Sequence, residues 1–162
     1  MQVVFDAQLL IAATAYAGAS WLDWPDVPPV TNNPEQDCLA LVASAPRYGD
    51  VSLILSRGLL TQVQAALADD VGLLQRDIDD YIMAVLTLAN ASGGGVEDDP
   101  PDSGTGHAPH VAVPLELARR GRLLVAEHRD VGDLGPFWGP EQVPILTARD
   151  FSGRVDAARR AT

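Results

Sequence analysis

The opening "MQVVFDAQLLIAA" sets a carboxylate, Asp6, between a short apolar run of strand type and a run of helix type rich in Ala and Leu. A carboxylate at the end of a buried strand has two uses. It caps the helix that follows, by accepting the unpaired N–H groups of the first turn, or it belongs to a group of side chains gathered for chemistry. His107 and His110 stand in "GHAPH", and His128 and Asp130 in "EHRD". Imidazole ligates Zn²⁺, Mn²⁺ or Ni²⁺, although a histidine in a loop with Gly and Pro is commonly just solvated. Arg119, Arg120, Arg122 and Arg129 flank the apolar stretch "LLVA". Guanidinium groups at a cleft mouth hold an RNA phosphate bidentately; the same arginines at an exposed helix end simply complement its dipole. Cys38, the only cysteine, lies in "DCLALV" and reads as a small buried hydrophobe, and one cysteine excludes an internal disulfide or a Cys-based metal cage.

The elements that must position these groups follow from periodicity and punctuation. Ala7 to Ala19 reads as a helix, and "SWLDWPDVPPVTNNP" as a loop in which Trp21 and Trp24 cover a sheet edge, anchor a partner or stack on bases. Asn33 followed by Pro34 is a helix-start signal, and "PRYGD" stops that helix. Val51 to Leu55 is a buried strand, with Ser56 able to cap the next helix. Leu73 to about Ala91 is a longer helix whose apolar positions keep the 3.6-residue period, leaving Asp77, Asp79 and Asp80 on a solvated face. Residues 92–109 form a flexible loop around a short strand at Val96. Leu115 to Arg120 reads as a helix with Pro114 in its first turn, Leu123 to Ala126 and "VPILT" as strands, "PFWGP" as a tight surface turn, and "ARDFSGRVDAARR" as the closing helix. Strands alternating with helices make a mostly parallel sheet covered on both faces, a three-layer α/β/α sandwich. Ligands of such sheets bind beyond the carboxyl ends of the strands, where Asp6 and "EHRD" both fall.

The 162 residues make one domain with a real core. All 11 basic residues are arginine, and the net charge of −11 argues against a broad phosphate-binding face while leaving room for a local arginine cluster or bound cations. No apolar run approaches the roughly 20 residues that span a bilayer, and no basic segment precedes an apolar one at the start. The expectation is a soluble, cytoplasmic protein. No Gly-rich phosphate loop follows any strand, which leaves little support for an unrelated nucleotide-type site.

The order of elements and the residues at the strand ends resemble the PIN domain, the nuclease fold of many bacterial toxins. "VVFDAQLLIAA" is similar to that family's first strand, acid and helix. "LILSRGLLTQVQAAL" looks like its second strand with a Ser and the helix after it, "LARRGRLLVAEHRDVGDL" resembles its strand followed by Thr-Gly-Asp, and "VPILTARDF" its closing strand and helix start. The resemblance implies a metal-dependent endoribonuclease in which three or four carboxylates gather Mg²⁺ or Mn²⁺, a hard cation that prefers oxygen ligands, activates water and stabilises charge on the phosphate. It also implies a small antitoxin-type partner, RNA as substrate, and often a homodimer. Asp6 matches the first acid. The second falls on neutral Gln62, the third near Pro109 and His110 unless Asp98, Asp99 or Asp102 folds back, and the fourth on His128, with Asp130 keeping an acid two residues on. Two outcomes follow. Either the site is active with an altered set, Asp6, His110, His128 and Asp130, with His107 as a further candidate and Zn²⁺ or Ni²⁺ joining the possible metals, or the site has decayed and the domain survives as a catalytically inert interaction module.

Overall fold

The computed structural model describes residues 1–16, 33–101, 109–127 and 134–161. The strands are β1 (Gln2–Phe5), β2 (Ser52–Ser56), β3 (Gly95–Glu97), β4 (Leu123–Ala126), β5 (Phe137–Trp138) and β6 (Val143–Thr147). The helices are α1 (Ala7–Ala12, continued by a 3-10 turn over Ala13–Tyr16), α2 (Pro34–Tyr48), α3 (Arg57–Asp69), α4 (Gln75–Ala91), α5 (Pro109–Ala118) and α6 (Ala148–Arg160). One sheet runs in the order β3-β2-β1-β4-β6-β5, parallel throughout except for the pairing of β5 with β6.

Because side chains alternate across a strand, this sheet feeds two cores. Val3, Phe5, Leu53, Leu55, Leu123 and Val125 turn to the larger one, shared with α1 to α4 and α6. Val4, Ile54, Leu124, Ala126 and Ile145 turn to the smaller one under α5. The fold is therefore α/β with helices on both faces of a six-stranded, mostly parallel sheet. All four residues of β4 are buried, as a central parallel strand requires. Phe5 and Phe151 meet edge to face with centroids 5.8 Å apart, worth about 1 kcal/mol beyond the area they bury.

Helix boundaries follow local chemistry. Asn33 accepts from Gln36 N at 2.9 Å to start α2, while its own Nδ2 and the Gln36 amide reach back to the carbonyls of Ala12 and Ala13. Those two bonds satisfy the orphan carbonyls at the end of α1. The helix expected over Ala7–Ala19 is thus α only to Ala12, and residues beyond Tyr16, with Trp21 and Trp24, lie outside the described ones. α2 carries Pro46 inside its last turn and stops at Gly49, whose φ of 66° suits a residue without Cβ.

Two expectations need correction. α5 begins at Pro109, not near Leu115, and Pro114 is interior to it. The buried Pro114 ring is accommodated at the cost of the N–H that would have bonded to the His110 carbonyl. "PFWGP" is not an isolated turn: Phe137 and Trp138 form an edge strand paired with Pro144 and Val143. Trp138 packs on the smaller core, with the Arg119 guanidinium 5.8 Å from its ring centroid.

Candidate functional site

In this sheet β1 is flanked by β2 on one side and β4 on the other, so the winding reverses between β1 and β4. In open α/β sheets that reversal opens a crevice at the carboxyl ends, the usual place for a ligand. Asp6 ends β1 at that point. Extending the β1–β2 register by two residues and the β1–β4 register by one sets Asp6 level with Ser56 and Ala126, and Ala126 is in turn level with Thr147.

The polar residues of this row share a task. Asp6 Oδ1 accepts from Leu9 N at 2.7 Å, Ser56 Oγ from Leu59 N at 3.2 Å, and Thr147 Oγ1 from Asp150 N at 3.1 Å. Each caps the helix that its strand runs into, which is why short polar side chains stand at these strand ends. Asp6 does one thing more. Its Oδ2 accepts the backbone N–H of Glu127, 3.1 Å away and just past β4, while its own N–H donates to Val125 O. The carboxylate is only 3% exposed. Two of its roughly four acceptor sites are thus committed to amides that hold β1, α1 and β4 together.

A second carboxylate reaches the same rim from the loop after β3. Asp99 Oδ1 accepts Gly58 N at 2.7 Å, in the first turn of α3. A Cβ on Gly58 would lie 2.8 Å from that oxygen, so the glycine makes room for the acid. Asp99, one of three acids named as able to replace the third, bonds the start of α3 here, and no bond joins it to Asp6; Asp102 lies outside the described residues. The signal in the sequence was Gly58, a glycine in a helix first turn beside no obvious bend.

The remaining candidates divide. Gln62 lies in the second turn of α3, half-buried, with its Oε1 enclosed. His110 lies in the first turn of α5, half-buried. His107, His128, Arg129 and Asp130 lie outside the described residues. Among the described residues, no group of three or more His, Cys, Asp or Glu side chains could hold a metal ion. Those residues alone therefore do not make the ligand set that a divalent cation needs, and only His128 and Asp130, which directly follow Glu127, stand close in sequence to Asp6's partner.

Arg122 lies toward the amino ends of the strands. The connection from α5 enters β4 at its amino end, and Arg122 Nε donates to Gln2 at the start of β1, 3.1 Å away. Four residues of strand, about 13 Å, separate Gln2 from Asp6. Arg122 is buried and binds Glu97 through both terminal nitrogens, together with the Leu117 carbonyl. Hydrogen bonding to Arg122, aided by Arg120, holds the Glu97 carboxyl below its ordinary range. Arg119 binds Glu141 and Glu116, and these bonds push its pKa further up. Cys38 is buried, donates to the Ala148 carbonyl, and has its thiol pKa pushed up by burial, then by Glu35 and Asp37; it is no nucleophile.

No protein-family model matches the chain, and no curated protein matches it.

Proposed function

We infer that this chain is a PIN-like domain related to toxin-antitoxin endoribonucleases, in which metal-dependent hydrolysis of RNA is weakened or lost. The observation that carries the reading is the double use of Asp6: it stands at the switch point of the sheet, where that family gathers its acids, yet its two oxygens accept backbone amides. The family's second acid is Gln62, which brings no charge to a cation. A divalent metal, if bound, would supply an activated water and a counter-charge for the phosphate. Asp6, Asp130 and His128 are the residues to hold it, with Mg²⁺ or Mn²⁺ favoured by oxygen donors and Zn²⁺ or Ni²⁺ by imidazole. The domain works in the cytoplasm with a small antitoxin-type protein partner, and as a homodimer where it follows the family.

A second reading, a catalytically inert interaction module, is favoured by the same amide bonds to Asp6. One experiment separates the two. The pure chain is incubated with single-stranded RNA and Mg²⁺, Mn²⁺ or Zn²⁺ beside an Asp6→Asn variant, which keeps an oxygen acceptor for the helix cap. Slow, metal-dependent cleavage that disappears in the variant supports a weakened nuclease. No cleavage from either protein supports the inert module, and cleavage equal in both proteins overturns the role given to Asp6.

A further inference from the structure

At the opposite edge of the sheet, between α6 and the amino ends of β1, β2, β4 and β6, lies a cleft of about 590 Å³. Its lining is mostly apolar: Pro144 and Leu146, half-buried, and Ala158, exposed, stand beside Val51, Leu123, Phe151 and Val155, which are buried. A volume of this size, apolar with a few polar groups, is typical of small-molecule sites. Three charged side chains line it: Asp50, Arg122 and Arg154. Asp50 is neutralised by Arg159, whose Nε and Nη2 lie 2.6 and 3.0 Å from its two oxygens. Arg122 is matched by Glu97. Arg154, exposed on α6, has no hydrogen bond or ion pair among the described residues. The cleft thus offers apolar walls with an arginine, Arg154, that no acidic side chain among the described residues compensates, on a chain whose net charge is −11.

We propose that this cleft binds a small monocarboxylate with an apolar chain, the chain lying against Pro144, Leu146 and Ala158 and the carboxylate paired with Arg154. Burial of the apolar body supplies affinity, and the guanidinium fork selects a planar anion over a neutral or cationic head. The site is separate from the crevice at Asp6 and does not depend on the nuclease reading.

Calorimetric titration of the intact chain with octanoate and with octan-1-ol tests the proposal. Octanoate is expected to bind one to one and more tightly than the alcohol. Arg154→Gln is expected to weaken octanoate about tenfold and leave octan-1-ol unchanged, while Ala158→Phe, which fills the cleft from an exposed position on α6, removes binding of both. Circular dichroism of both variants should match the parent, since each change is on the solvent side of the helix. Absence of octanoate binding, an Arg154→Gln variant that binds octanoate as the parent does, or binding untouched by Ala158→Phe would each overturn it.

Discussion

Asp6 bonds two amides that lie far apart in the chain, those of Leu9 and Glu127, so its replacement acts on the fold before it acts on any chemistry. Asp6→Ala leaves both amides without their acceptor in a buried site and is expected to cost roughly 2–4 kcal/mol. Asp6→Asn, which retains one acceptor oxygen, should cost about half as much; urea denaturation of the two variants checks the order. Glu97 makes a prediction in pH. Its folded carboxyl is held below the usual value of 4.5 by Arg122, so its contribution to stability is present above that value. It is lost as pH falls through the lowered folded value. The stability difference between the parent and Glu97→Gln should therefore be constant near neutrality and shrink once the pH drops below about 4.5, as followed by denaturant melts across that range.

At the scale of elements, the turn from α4 into β3 is held by a close backbone approach. A Cβ on Gly94 would sit 1.9 Å from the Leu53 carbonyl oxygen in β2, and backbone cannot step aside. Gly94→Ala should lower stability by roughly 3 kcal/mol or more, while Gly58→Ala, where the obstacle is the movable Asp99 side chain, should change it by no more than about 1 kcal/mol; thermal melts of the pair measure the contrast. Local signals were read well where they were local. Asn33 with Pro34, Ser56, and "VPILT" followed by "ARDFSGRVDAARR" start or bound elements through bonds made within three residues. What depended on distant chain was not legible. Pro114 looked like a helix start because its burial, as an interior residue of α5, was invisible. Phe137 and Trp138 are too short a strand to show a period, and take their form from β6. The arginines around "LLVA" read either as groups at a cleft mouth or as a helix end complementing its dipole, and the topology adds that a crossover helix in a parallel sheet must deliver the chain to the amino end of the next strand. Asp6 was legible as either cap or ligand, but its bond to Glu127, 121 residues away, was not.

Over the whole molecule, the two edges of the sheet differ in character. The carboxyl edge carries the helix caps, Asp6 at the switch point and Asp99 on α3; the amino edge carries Arg122, Arg154 and the apolar cleft. Among the described residues no helix is long and apolar enough to cross a membrane. The proposed kinship to the toxin nucleases, and the proposed weakening of their chemistry, rest on the carboxyl edge, and specifically on whether Asp6 serves the fold alone or also a cation. Calorimetric titration of the folded chain with Mn²⁺, beside Asp6→Asn, asks this directly. Uptake that is absent or no tighter than millimolar is the predicted result. Stoichiometric binding in the micromolar range, abolished by Asp6→Asn in a variant that remains folded, would show a complete metal centre and contradict the account.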